Sequence, residues 1–510
     1  MPSPASKKYS TTAMARVSRE FRGKSKQKPD EDPLRCSPRA LQLGAMSSAD
    51  TSHRFHGLDR RKNDSLREVA KDPRNVEALC QLAQVCQERD ERHAAESLYR
   101  RAFDIDPNSL HVRYGLATTC SANGRIDEAE EHIQACIAGR PEVPAFWSLL
   151  ASLKREEGLV DEAERHLQKA LSLAPQSHRT AQRLLFQFIL NPAVSPETVR
   201  REHERWAATY AASHYPANPP LLRWQPGEGR LRVGYLSPDW SRHSVGQFSE
   251  GFLRHHDRAN FEVFCYYCSR RHDSRTEVLA ALPEHWVEAG DLDDAALYER
   301  IRQDNLHILI DLAGHTPEGR PLVLARQPAP LQMTALGYLA TTGIATIGFR
   351  LTDEFTDPPG LTESHATERL VRLPETVWCF TPHENVPNVG ELPCLTAGRV
   401  TFGSFNRFFK VSSSTVELWA RIVGAVPESR LLLKSACFRS AGLRSRTLDR
   451  FAAAGLAPDR IELRGWDEDQ ADHLSGYADI DIALDTFPYQ GSTTICEALH
   501  MGVPVLSQIG

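Results

Sequence analysis

The chain reads as an α-helical repeat solenoid followed by two Rossmann-like α/β halves, the second expected to be incomplete. Three observations carry that reading. Pro73, Pro107, Pro141 and Pro175 recur at a spacing of 34 residues. After Arg230 the apolar pattern shortens to strand-like runs separated by helical segments. Near the end, Ile482–Val505 reads as a buried strand, a glycine-bearing turn, a helix opened by Ser492, Thr493 and Thr494, and a second strand. Hydroxyls and free N–H groups at a helix start form a site for phosphate.

The period of 34 recurs at Gly124 and Gly158, and at Ala95, Ala129 and Ala163. It is the period of the tetratricopeptide helix–turn–helix. One unit illustrates the pattern. Ala145–Leu153 is apolar at helical spacing, Glu157-Gly158 makes the turn, and Asp161–Leu171 is a second amphipathic helix. The proline that follows cannot continue it. A single unit cannot bury its apolar face, so the units must stack, leaving a concave groove suited to a peptide or protein. The array is assigned to residues 61–190. Residues 191–230 are expected to hold a linker helix and then a Pro- and Gly-rich connection, and residues 1–60 a disordered basic tail.

The first α/β half, 231–396, is predicted from strands at Leu231–Ser237, Phe261–Tyr267, Leu306–Leu312, Met333–Tyr338 and Glu368–Leu373. The second, 397–510, is predicted from Arg399–Phe405, Arg430–Ser435, Ile461–Gly465, Ile480–Asp485 and Val503–Ser507. Strands alternating with helices imply parallel sheets covered on both faces, with ligands beyond the carboxyl ends of the strands. The candidate chemistry stands at those ends: His243 and His315 in the first half, Lys410, Thr493 and Thr494 in the second.

Composition narrows the function. The 510 residues carry 61 Lys+Arg against 66 Asp+Glu, a formal charge of −5, which argues against a nucleic-acid partner. No uncharged apolar run reaches the ~18 residues of a membrane span. Eleven cysteines scattered along a long chain read as reduced thiols, hence a cytoplasmic protein, or a nuclear one in a eukaryote. Organelle targeting by the basic N-terminus stays open. Cys265 and Cys268 have C-x-x-C spacing but end a strand-like run, and no second pair completes a zinc site. Asp479-Ile-Asp481 has the spacing of a metal–diphosphate D-x-D, yet opens an apolar strand and reads as structural. No metal is assigned.

The combination resembles the O-linked N-acetylglucosamine transferase family, in particular its bacterial and SPINDLY-like branch. The resemblance covers about 74–510. It rests on Leu231-Arg-Val-Gly-Tyr with His243, Asp311-Leu-Ala-Gly-His-Thr, Pro328-Ala-Pro-Leu-Gln, Leu336-Gly-Tyr with Thr341-Thr-Gly, Phe402-Gly-Ser-Phe-Asn-Arg with Lys410, and the final segment. It implies a GT-B glycosyltransferase that moves a sugar from a nucleotide diphosphate to a protein Ser or Thr hydroxyl, with inversion and without metal or other cofactor. UDP-GlcNAc is the first donor implied. A GDP-fucose or UDP-glucose donor, or an inactive repeat scaffold, are the alternatives.

By the same resemblance Lys410 holds the diphosphate, and His243 lies beside sugar and acceptor as base or positioning group. His315 and Thr316 line the sugar-phosphate pocket. Ser492, Thr493 and Thr494 hold phosphate, Glu497 (where the family usually has Asp) the ribose, and His473 lies near the uridine. The acceptor is expected in the repeat groove. Gln490, Ser492, His500 and Gly476 depart from the family pattern, and relatives continue past the position of Gly510.

Overall fold

A computed structural model describes residues 49–89, 91–225, 227–382, 386–467 and 469–508. Of the expected basic tail, 1–48 lie outside the described residues. The helix Ala49–Lys71 runs across the boundary expected at residue 60. Helix pairs follow at Val76–Glu88 with Arg92–Ile105, Leu110–Ala122 with Ile126–Gly139, and Pro144–Glu156 with Val160–Leu173. The helix His178–Leu190 closes the array. Asn75, Ser109 and Ser177 cap the first helices of their pairs by accepting an N–H from the first turn. Small residues on the second helices, among them Ala95, Ala129 and Ala163, are fully buried, which lets neighbouring helices approach closely.

The expected linker helix, Pro196–Trp206, continues through a π-helical turn, Ala207–Ala211. It is part of the body of the protein and not a free connection. Trp206, Ala207 and Ala211 are buried in the same core as Phe264, Leu309 and Val323. The indole N–H of Trp206 donates to the His178 carbonyl at 3.2 Å. One amphipathic helix thereby joins the last repeat to the first sheet.

That sheet has seven parallel strands in the order β3-β2-β1-β4-β5-β6-β7. They are β1 (Leu231–Ser237), β2 (Phe261–Tyr267), β3 (His285–Glu288), β4 (Ile308–Asp311), β5 (Leu331–Thr334), β6 (Phe349–Asp353) and β7 (Arg369–Leu373). The second sheet has five described parallel strands in the order β10-β9-β8-β11-β12. They are β8 (Thr401–Ser404), β9 (Arg430–Lys434), β10 (Ile461–Arg464), β11 (Ile482–Leu484) and β12 (Val505–Leu506).

Two strands, β3 and β6, were not expected from sequence. β3 is a four-residue edge strand, His-Trp-Val-Glu, and none of it is fully buried. β6 carries Arg350, whose charge is met by Asp357 at 3.0 Å, so its inward face looks polar in the sequence. Cys265 and Cys268 lie in separate cores on opposite faces of β2, as an odd spacing along a strand demands. Asp481 accepts the N–H groups of Cys394 and Thr401, at 2.9 and 2.8 Å, while Asp479 pairs with Arg464. Both carboxylates of the D-x-D are thus committed to structure. No helix among the described residues is long and apolar enough to cross a membrane.

The repeats also dock on the second half. Asp127 accepts from Arg446 at 2.8 Å and from the Gly442 N–H at 3.0 Å. Glu157 accepts from Arg446 at 2.9 Å, and its carbonyl from Arg450 at 2.7 Å. Gly158, at φ +72°, comes so close that a Cβ would lie 2.4 Å from the Val411 carbonyl. A left-handed turn without a side chain is required there.

Candidate functional site

Each sheet has one place where the strand order reverses. In the first it lies between β1 and β4, in the second between β8 and β11. A reversal sends the two following loops to opposite sides and opens a crevice between them. His243 follows β1, and His315 with Thr316 follow β4. Lys410 follows β8, and Ser492, Thr493 and Thr494 follow β11. Topology therefore gathers the residues singled out in the sequence at two crevices.

In the second crevice Lys410 closes the short turn Phe408–Lys410, and its ammonium donates to the Gln490 carbonyl at 3.0 Å. It stands 4.8 Å from the centre of the Tyr489 ring. Burial, partly offset by Asp485, lowers its pKa to about 8. Asp485 organises the turn opposite, accepting the N–H of Thr486 at 2.9 Å and of Gly491 at 2.8 Å, and the Asn406 amide at 3.3 Å. Asn406 in turn accepts from the Thr494 hydroxyl at 2.9 Å. The Thr494 hydroxyl is therefore turned inward, and what it can offer phosphate is its N–H.

Thr493 is the complement: its buried hydroxyl has no partner. No side chain caps the start of the helix Thr493–His500, and Ser492 makes no capping bond. An uncommitted helix start, an orphan hydroxyl and a cation bonded to the turn just ahead of them, at Gln490, make a candidate anion site.

One turn further along, Glu497 is buried and accepts from Gln470 at 3.2 Å and Tyr477 at 3.4 Å, with His473 Nε2 at 3.3 Å. The His473 ring lies 4.2 Å from that of Trp466, and its buried Nδ1 has no partner. Beside them opens a cleft lined by Lys434, Arg464, Trp466, Asp467 and Gly476, beyond the ends of β9 and β10.

The first crevice is built differently. His243 is the N-cap of the helix Ser244–Arg254, its Nδ1 accepting from Val245 N–H at 3.3 Å. Asp239 stands 3.8 Å from the same nitrogen. The ring is 45% exposed, with Nε2 left for other partners. His315 is fully buried. Its Nε2 donates to the Thr342 carbonyl at 2.8 Å, so neutral Nδ1 is a lone pair, and it has no partner.

Rings of His203, Trp206 and Tyr338 surround His315 at 4.6–5.6 Å. His203 donates from Nδ1 to the Val199 carbonyl and accepts at Nε2 from the Tyr338 hydroxyl, both at 2.6 Å. Burial lowers the pKa of His315 to about 3 and of His203 to about 4. Asp311, which accepts the Ala313 and Gly314 N–H groups, shapes the turn that carries His315. The buried Thr316 hydroxyl has no partner either, while its carbonyl accepts from Gln182 of the last repeat helix.

The structure thus brings Lys410 together with Thr493 and Thr494, and His473 with Glu497. The two crevices are joined through aromatic rings. Phe186 lies 6.5 Å from Tyr338 and 6.0 Å from Tyr489. The sequence motifs include Asn406, Asp485 and Tyr338 without giving them a role, and His203 lies outside them. A buried Asp within Leu-Asp-Thr-Phe-Pro was the available signal for Asp485. Nothing local marks His203.

Two Rossmann-like halves, each with a crevice at its switch point, place the chain in the class of double α/β folds that take nucleotide ligands beyond the carboxyl ends of their strands. Residues 214–391 match the model of glycosyl transferase family 41, and 88–153 and 144–177 match tetratricopeptide repeats. A mutant of the Thermobaculum terrenum O-GlcNAc transferase is similar over 85% of this chain and 82% of that one, at 32% identity and a TM-score of 0.81. The chain belongs to glycosyl transferase family 41, the O-GlcNAc transferase family.

Its relatives include the probable UDP-N-acetylglucosamine–peptide N-acetylglucosaminyltransferases SPINDLY of Petunia hybrida, 37% identical over 345 residues, and of Arabidopsis thaliana, 36% identical over 344. These matches cover 67% and 66% of this chain, and the chain spans 37% of the length of each of these curated relatives.

Proposed function

We propose that the protein transfers N-acetylglucosamine from UDP-GlcNAc to Ser or Thr hydroxyls of proteins, with inversion and without a metal or other cofactor, in the cytoplasm. The observation that carries this reading is Lys410, bonded to the Gln490 carbonyl just ahead of the uncapped start of the Thr493–His500 helix, where the Thr493 hydroxyl has no partner. The acceptor oxygen attacks the anomeric carbon from the face opposite the diphosphate. The glycosidic bond breaks, its electron pair leaves with the diphosphate, and the hydroxyl proton passes to a base or to solvent. Charge grows on the leaving oxygens, where a cation and aligned N–H dipoles stabilise it most. A lysine and a helix start serve that end without a bound cation. His243, half exposed with Nε2 directed away from its cap, is the candidate base or positioning group. Glu497 and His473 are the candidates for holding ribose and base.

The test is transfer by the purified chain to a Ser/Thr-rich peptide from UDP-GlcNAc, UDP-glucose and GDP-fucose, in the presence of EDTA. A mass increase of one N-acetylhexosamine, a β-linkage by NMR and insensitivity to EDTA are expected. Transfer from GDP-fucose or UDP-glucose in preference would overturn the donor assignment, and no donor binding at all would leave a repeat scaffold.

A further inference from the structure

Between the repeats and Lys410 lies a cluster of cations packed on aromatic rings. Arg155 and Arg183 come from the first helices of successive pairs, Pro144–Glu156 and His178–Leu190, and Arg407 from the turn that carries Lys410. Arg155 lies 5.7 Å and Arg407 5.4 Å from the centre of the Phe409 ring, and Arg155 6.0 Å from that of Phe186. Phe186 is 6.3 Å from Phe409 and 6.0 Å from Tyr489, over which Lys410 stands. Aromatic rings bearing three cations, Arg155, Arg407 and Lys410, therefore run from the last repeat helix to the turn at Gln490, and Arg183 stands one helical turn before Phe186 on that helix.

The carboxylate recorded beside these guanidiniums is Glu156, at 3.6 Å from Arg155 and 4.0 Å from Arg407. Arg155 buries its Nε without a partner. Arg183 is half-buried and makes no hydrogen bond or ion pair among the described residues. Burial and the like charges of Arg155 and Arg179 lower its pKa, against the pull of Tyr114. One carboxylate, Glu156, is shared by Arg155 and Arg407, so the group with Arg183 has positive charge left to pair with an anion.

We propose that Arg183 and Arg155 select acceptor segments bearing Asp or Glu next to the modified Ser or Thr, the acidic side chains pairing with the two guanidiniums over the Phe186–Phe409 floor. This specificity rests on the transferase reading above. An anion here has two sources, an acceptor carboxylate or the donor's diphosphate. The position of Arg183 on the repeat array favours the acceptor, since Lys410 and the helix start already face the diphosphate from the second half.

The experiment measures equilibrium binding of a fluorescent Ser/Thr peptide flanked by Glu, and of its Gln counterpart, to the whole chain. UDP-GlcNAc binding is measured separately by calorimetry. The Glu peptide is expected to bind about tenfold more tightly than the Gln peptide, with the preference falling as salt rises. Arg183→Gln should bring the ratio close to one and leave donor binding unchanged. Should that variant melt early, Arg183→Lys, which keeps the charge but loses the fork, should retain part of the preference. Equal binding of the two peptides by the wild type, or an Arg183→Gln loss that falls on the donor instead, would overturn the proposal. The binding readout is independent of turnover, so acid preference without transfer would sink the enzymatic reading alone.

Discussion

The two switch-point crevices carry similar side chains and use them in opposite ways. At the β1/β4 crevice His315 is sealed among His203, Trp206 and Tyr338, with one nitrogen already donating to Thr342. At the β8/β11 crevice Lys410, the Thr493 hydroxyl and a helix start have bonding capacity left over. Burial in low dielectric penalises charge in both. The first answers by keeping its histidines neutral and packed, the second by keeping a lysine that still titrates near neutrality. Uncommitted donors mark where a ligand's charge is met; at the first crevice the groups left uncommitted are a neutral ring nitrogen, His315 Nδ1, and the Thr316 hydroxyl, with no cation beside them.

The largest effect expected from this contrast is at Lys410. Lys410→Ala should lower the transfer rate by about a thousandfold, near 4 kcal/mol of transition-state stabilisation. His243→Ala, at an exposed ring that water can replace, should cost about a hundredfold or less. Single-turnover rates with equal or reversed losses would break the contrast.

Next is the contact that holds the repeats against the second crevice. Gly158→Ala places a Cβ against the Val411 carbonyl in a left-handed turn. It should destabilise the chain by about 2–3 kcal/mol, read in urea titrations. A loss within a few tenths of a kcal/mol of zero would mean that the repeats can shift without harm.

The third concerns the sealed crevice. His203 and His315 have folded pKa values below the ordinary 6.5. Above pH 6.5 both are neutral folded and unfolded, and their contribution is fully present. As pH falls below 6.5 the unfolded chain takes up protons that the folded one refuses, so stability drops toward the folded pKa values, about 4 for His203 and about 3 for His315. The slope is about 1.4 kcal/mol per pH unit for each ring, or ~2 kcal/mol each at pH 5. His203→Gln should flatten the urea-midpoint curve between pH 7 and 5; an unchanged curve would place the acid sensitivity elsewhere.

The smallest sharpens the open crevice. Lys410 loses its proton through about pH 8, and a diphosphate binds the charged form. Donor affinity should be level below pH 7 and fall about tenfold per unit above 8, with proton uptake on binding. Calorimetry in two buffers of different ionisation enthalpy reads this directly, and affinity level to pH 9.5 would show that the ammonium does not meet the donor.

Much of this was legible from local pattern. The 34-residue period, the glycine turns and ten of the twelve strands follow from spacing, because repeats and buried parallel strands imprint their geometry on consecutive residues. β3 and β6 escaped because an edge position and an internally paired arginine remove the apolar signature. The reading of 191–230 as a linker missed the burial of Trp206, since one amphipathic helix looks the same whether it spans a gap or covers a sheet.

The sequence alone determined which side chains stand at strand ends and which family they resemble. Only the tertiary structure decided how each is spent. Thr493 and Thr494 are adjacent and chemically identical, yet one hydroxyl is bonded to Asn406 and the other has no partner. His315 is neutral because His203 and Trp206, more than 100 positions upstream, and Tyr338 downstream close over it, and Arg183 has no ion pair among the described residues. Hydrogen bonding and burial depend on what arrives in space, and residues distant along the chain supply that.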